Sequence, residues 1–173
     1  MNKLLIVVDY QNDFVDGSLG FADASNLHEK ICEKIEDYVH ENMTVVFTKD
    51  THPTAYLQTQ EGRNLPVAHC IEGTSGWALY GRVDELSASH RIFQKNTFGS
   101  ADLFDYLRDN PFDQIELVGL VSHICVLCNA VLAKTACPEA RIVVNASYTA
   151  SFDQTMQEKA LDVLSGIQVQ VIR

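Results

Sequence analysis

The sequence predicts an α/β protein built on one doubly wound, parallel sheet, and three observations predict it. Short β-branched runs alternate with segments of helical period along the 173 residues. Several of those runs are apolar on both faces, as strands covered by helices on each side must be. No internal repeat, low-complexity tract or Pro/Gly/Ser-rich linker divides the chain. Residues 1–173 are therefore expected to form a single domain, and the length suffices for one substantial core.

The first strand is expected at 4–8 and the second at 44–48. Between them "ASNLHEKICEKIEDYVHEN" repeats Leu27, Ile31, Ile35 and Tyr38 at helical spacing, with Lys and Glu on the other face. Further strands are expected at 91–94, 115–120, 141–145 and 167–172. "SADLFDYLRDN" reads as a helix capped by Ser100, and a helix from Cys125 to about Cys137 follows the fourth strand. "DQTMQEKALDVLSG" reads as a helix closing on Gly166. The segment 49–90 fits least well, with only a weak helical pattern at "WALYGRVDEL". Connections of that length in a compact domain are more often functional than idle.

Composition narrows the function. Apolar residues make up 46% and charged residues 21%, as in an ordinary globular protein, and the formal charge is −10. That charge argues against a broad nucleic-acid or anionic-membrane surface, which needs clustered Lys and Arg. No apolar run approaches a membrane span, and "MNKLLIVVDY" holds too few apolar residues for a signal-peptide core, so a cytoplasmic location is expected. Five cysteines are an odd number for a disulfide framework in a reducing compartment.

Ligands of open α/β sheets sit beyond the carboxyl ends of the strands. Three reactive groups fall there: Asp9 after "LLIVV", Lys95 after "RIFQ" and Cys125 after "IELVGLVSHI". They suggest a general base, a cation and a nucleophile. At a helix N-terminus, backbone N–H groups favour the thiolate of Cys125 and can hold an oxyanion. Taken singly, each residue has a blander reading, as a turn carboxylate, a surface lysine or a core thiol.

"VVDYQNDFVDGSL", "KNTFGS" and "GLVSHICVLCNA", in this order and spacing, resemble the three motifs of the isochorismatase-like cysteine hydrolases, the superfamily that contains the nicotinamidases. The resemblance runs from about residue 3 to 150. It implies a six-stranded, mostly parallel sheet with helices on both faces and a catalytic triad of Asp9, Lys95 and Cys125. It also implies a cis peptide between Leu120 and Val121, and an oxyanion hole from the amides of Val121 and Cys125. Phe14 would pack against the substrate, with Gln11 and Asp13 shaping the surrounding loop. "KDTHPTAYLQTQEGRNLPVAHCIEGTSGW" is similar to the family's metal-binding stretch, which implies Asp50, His52 and His69 as ligands, with Glu61 a fourth. Two imidazoles with carboxylates suit Zn2+, with Fe2+ or Mn2+ as alternatives.

The expected activity is hydrolysis of a small amide, nicotinamide first, through a thioester. A carbamoyl compound or ureide is the alternative substrate. The expected partners are that small molecule and further copies of the chain in a homo-oligomer, with no nucleic acid and no membrane. Two other classes stay open: a redox protein using the C-x-x-C of Cys125 and Cys128, and a non-catalytic binding protein. Cys128 is expected to pack as a small core residue. His123 and Ser122 depart from the family's usual Asp and Thr, and no aromatic residue stands at Leu65, Pro66 or Val67 before His69.

Overall fold

A computed structural model describes residues 1–173. The chain runs β1 (Lys3–Val8), α1 (Asn12–Val15), α2 (His28–His40), β2 (Thr44–Asp50), α3 (Gln60–Asn64), α4 (Arg82–Ser87) and β3 (Arg91–Lys95). It continues through α5 (Ala101–Asp109), β4 (Gln114–Leu120), α6 (Leu127–Ala136), β5 (Arg141–Ala150), α7 (Gln154–Gly166) and β6 (Gln170–Ile172). The strands lie in the order β3-β2-β1-β4-β5-β6, and every neighbouring pair is parallel. The expected "mostly parallel" sheet is thus wholly parallel. Strand order reverses between β1 and β4, so the crevice for a ligand opens above those two strands.

Alternate residues of β1 face opposite layers. Leu4, Ile6 and Val8 pack with Leu103, Ala130 and Leu161 of α5–α7. Leu5 and Val7 pack with Ile31, Ile35 and Val83 of α2 and α4. Both faces of the sheet are therefore covered, as the all-apolar strands require. No helix is long and apolar enough to cross a membrane.

The caps explain most boundaries. Ser100 accepts from the Leu103 amide at 3.1 Å, as its sequence position suggested, and Asp153 caps α7 through the Met156 amide at 3.0 Å. The end of α7 differs from expectation. Gln168, not Gly166, takes the left-handed conformation at φ +68°, while its amide donates to Ser165 and that of Val169 to Leu164. This closure consumes 167–169, so β6 begins only at Gln170. The weak helix at 77–86 is confined to Arg82–Ser87, and short helical turns at Tyr56–Gln58 and Gln60–Asn64 organise the preceding segment. There Thr59 accepts from the Gly62 amide at 3.0 Å.

Gly119 is the tightest point between β1 and β4. Its φ is +109°, and a Cβ there would lie 2.1 Å from the carbonyl oxygen of Val8. Gly119→Ala is expected to cost about 3 kcal/mol or more, read from the denaturant midpoint, because it combines a forbidden φ with a backbone clash. A loss below 1 kcal/mol would contradict this packing.

Candidate active site

Four strand ends build the site. Val8 lies in register with Thr48 on one side and Gly119 on the other, which sets Asp9 above the centre of the sheet. Asp9 has φ +44°, and its amide meets the carbonyl and hydroxyl oxygens of Thr48, both at 3.2 Å. The Thr48 hydroxyl donates to Asp9 Oδ1 at 2.6 Å. Asp50 and Lys95 are register partners on β2 and β3. After β4 a cis bond joins Leu120 to Val121, as the family resemblance implied, and a π-helical turn at Ser122–Val126 carries Cys125.

These folds bring Asp9, Lys95 and Cys125 together. Lys95 Nζ lies 2.6 Å from Asp9 Oδ2, 3.7 Å from Cys125 Sγ and 3.5 Å from Asp50 Oδ1. Asp9 Oδ2 is wholly buried and, apart from the Lys95 ammonium, meets no donor, which makes it the oxygen placed to accept a proton.

Electrostatics sets the protonation states. Burial raises the Asp9 carboxyl above the ordinary carboxylate range, against the opposing charge of Lys95. Burial likewise pushes the Cys125 thiol well above its usual value, with Lys95 again opposing. Desolvation acts against the charge of Lys95, but Asp9, Cys125 and Asp50 outweigh it and hold the ammonium more firmly charged than usual. Burial thus favours the neutral forms of Asp9 and Cys125, and the charge of Lys95 opposes it at both.

Asp50 joins this group to a second one. Its Oδ1 faces Lys95, while its Oδ2 lies 3.0 Å from His52 Nε2 and 3.4 Å from His69 Nε2. Glu61 Oε1 is 3.7 Å from both imidazoles, and the four donor atoms lie within 4.8 Å of one another. His69 Nδ1 meets the Val67 carbonyl at 2.8 Å, which assigns the ring proton there and leaves a bare Nε2 facing Asp50. A lone pair and a carboxylate oxygen turned toward one point fit a cation between them. The donor set suits a divalent metal with positions left open.

The cavity above is about 410 Å³ and reaches Phe14, Asp50, His69, Val121 and Cys125. The Phe14 ring stands 5.5 Å from that of His69. Phe98 and Phe152 complete an aromatic wall that sequence reasoning missed, since the residues just before His69 offered none. The signal for Phe98 lay inside "KNTFGS". Phe152 follows β5, whose length beyond Asn145 the sequence pattern concealed.

Other positioning groups surround these: Gln11 and Asp13, which the family resemblance assigned to the loop, and Asn129, which was unmarked in the sequence. Gln11 Oε1 accepts from the Asp50 amide at 2.7 Å and its Nε2 donates to the Asp50 carbonyl at 2.8 Å, clamping the end of β2. Asp13 accepts from the Cys70 amide at 2.7 Å and so ties the loop beside His69. Asn129 donates to the Cys125 carbonyl at 2.8 Å and accepts from the Ser100 amide at 3.0 Å.

Cys128 needs correction. It does not pack into the sheet but lies half-buried in a separate apolar groove with Leu127, Val131 and Leu132. The π turn carries an i to i−5 bond, from the Val126 amide to the Val121 carbonyl, and its wider winding rotates the following helix off the expected face. All five thiols are free, and Cys32, Cys70 and Cys137 are buried. His28 and His90 are half-buried beside Tyr80 and Phe47 respectively, and His40 is exposed.

Comparison with known proteins places this architecture. The Isochorismatase domain model matches residues 3–173. A Bacillus subtilis protein described as an uncharacterized isochorismatase family protein, PncA, is 33% identical over 166 residues, covering 89% of each chain. The crystal structure of nicotinamidase PncA from Bacillus subtilis superposes with a TM-score of 0.88 at 30% identity, over the whole of both chains. A zinc complex of Pyrococcus horikoshii pyrazinamidase has the same fold, with a TM-score of 0.87 at 23% identity, covering 100% of this chain and 99% of that one. With one family model spanning nearly every residue and close structural likeness end to end, this chain belongs to the isochorismatase domain family.

Proposed function

We propose that the protein is a cysteine-dependent amidohydrolase that converts nicotinamide to nicotinate and ammonia. Its relatives include proteins named nicotinamidase, which cleave an amide C–N bond. The observation that carries the reading is the buried contact of Asp9, Lys95 and Cys125 on the wall of a cavity shared with a divalent-metal donor set.

Asp9 accepts the Cys125 proton as Sγ attacks the carboxamide carbon. The amides of Val121 and Cys125 receive the oxyanion. Collapse expels nitrogen, to which Asp9 returns the proton, leaving a thioester and free ammonia. Water then attacks the thioester with Asp9 again as base, which frees the acid and restores the thiol. Lys95 stays charged throughout and steadies whichever anion is present. Phe14 lies against the ring.

Asp50, His52, Glu61 and His69 would hold the metal, and the zinc of the Pyrococcus horikoshii relative supports Zn2+. When bound, it supplies a Lewis acid suited to a heteroaromatic nitrogen such as that of pyridine. One Zn2+ per chain is expected by calorimetry. At a hundredfold excess over its Kd the ion should add about 2.7 kcal/mol of stability, and His69→Ala should remove that gain. An unchanged melting temperature with added Zn2+ would count against the site.

The deciding experiment measures ammonia from nicotinamide with zinc supplied, beside Cys125→Ala. No ammonia from the wild type would overturn the substrate assignment. The pH profile tests Asp9. The base works only when ionised, and burial raises its pKa, so kcat/KM should fall on acidification through an apparent pKa above 3.8. A limb at or below 3.8 would exclude Asp9 as that base.

A further inference from the structure

We infer that Phe152 is the specificity-determining residue at the mouth of the cavity and that His123 positions it, so that the site admits small flat amides and turns away bulkier ones. This inference rests on the hydrolase reading above.

Phe152 is 63% exposed, yet it lines the same cavity as Cys125. A phenylalanine this open is not a core residue, and its place is not accidental. Its ring stands between two others in edge-on contact, Phe21 at 6.2 Å and His123 at 5.2 Å. The three rings come from three separate segments: the loop after α1, the turn after β5 and the π turn before α6. They form an aromatic row, of which Phe152 is the member that lines the cavity. Phe98, 48% exposed, lines the cavity as well. The Phe152 ring is exposed, while its backbone is held.

The hold is Ser151. Its buried hydroxyl accepts from the Asp153 amide at 2.9 Å and donates to the Asp153 carbonyl at 2.9 Å. One lone pair remains, and His123 Nδ1 lies 2.8 Å from it. A serine hydroxyl has a single proton, so with that proton spent on Asp153 the ring N–H of His123 is the donor. His123 therefore fixes the residue before Phe152 by a hydrogen bond and touches Phe152 itself by its ring edge. This gives a use to the side chain that departs from the family's usual Asp at this position. His123 contacts none of Asp9, Lys95 or Cys125 through a hydrogen bond, so its effect on the reaction passes through Phe152.

The test compares two alkylating reagents of unequal bulk on the zinc-loaded protein. A Cys128→Ser background removes the one half-exposed thiol. Iodoacetamide is the small probe and iodoacetanilide, with a benzene ring on its nitrogen, the bulky one. Labelling of Cys125 is followed by mass spectrometry. Phe152→Ala is expected to raise the iodoacetanilide rate at least tenfold while changing the iodoacetamide rate less than twofold. His123→Ala should shift the ratio in the same direction. His123→Asn, which keeps a donor for Ser151, should restore most of the wild-type ratio, a rescue that general loosening would not produce. Equal change for both reagents, no change for either, or absence of Cys125 labelling in every variant would overturn the inference. Ammonia release from nicotinamide, run in parallel, separates the two claims. Ammonia without a selectivity shift removes only the gate, and a selectivity shift without ammonia removes only the substrate assignment.

Discussion

Cys125→Ala is expected to abolish amide hydrolysis, with a fall in kcat on the order of 10⁴-fold or more, because no other thiol lines the cavity. The second thiol of the C-x-x-C pair cannot substitute. Cys128 opens onto a different groove, lined by Leu127 and Val131. The substitution removes one sulfur from a site already closed over by Val126 and Ala130 in the core, so the melting temperature should stay within a few degrees of wild type. Product binding, measured by calorimetry with nicotinate, should persist. Residual turnover within a hundredfold of wild type would rule out Cys125 as nucleophile. Equal loss on Cys128→Ser would revive the redox reading.

Lys95→Met should be the most damaging single change to both stability and rate. It deletes the one ammonium shared by Asp9 and Asp50 and leaves the wholly buried Asp9 carboxylate without a counter-charge. Breaking a buried pair from one side costs about 3–5 kcal/mol, or roughly 6–20 °C in melting temperature for a chain of this size. Asp9 can relieve the cost by taking up a proton. Burial already raises its pKa, and without Lys95 it must climb further. The sign follows from linkage. A carboxyl whose folded pKa exceeds its unfolded value destabilises the fold wherever the unfolded chain is ionised, and the penalty disappears below the unfolded pKa. The stability deficit of Lys95→Met against wild type should therefore be greatest near neutrality and shrink as the pH falls toward 4. Since a protonated Asp9 is no base, activity at neutral pH should fall by at least about 10³-fold. A deficit below 1 kcal/mol at pH 7, or one independent of pH, would show that Lys95 does not compensate Asp9.

Much of this architecture was legible because sheet chemistry repeats at short range. The apolar runs ending in Asp9, Lys95 and Cys125 place each group at a strand's carboxyl end, and parallel strands gather such ends on one edge. Likewise Asp50 and His52, two apart at the end of β2, had to lie near one another. What escaped depended on turns. The π-helical winding after Val121 shifts Cys128 off its expected face, and no periodicity announces an i to i−5 bond. Phe152 joined the cavity only because β5 runs on to Ala150, past the polar residues at which its pattern breaks. Thr48 and Asn129 hold the reactive groups through hydrogen bonds that have no spacing to read. The long stretch 49–90 was recognisable as functional by its length, while its two short helical turns rest on local caps such as Thr59.

The register pairing of Asp50 with Lys95 has a consequence for how the chain matures. Side chains alternate faces along a strand, so a slip of one residue between β2 and β3 would carry the ammonium to the opposite layer. It would then face the α2 and α4 side, away from Asp9 and Asp50. Asp9, Asp50, Lys95 and Cys125 come from four strands distant in sequence, and their meeting depends on non-local contacts that form late and slowly. Competence thus arrives all at once with the final alignment of the sheet. A chain caught in a neighbouring alignment is silent rather than weakly active, and the buried charges it would leave unmatched help to drive it back out.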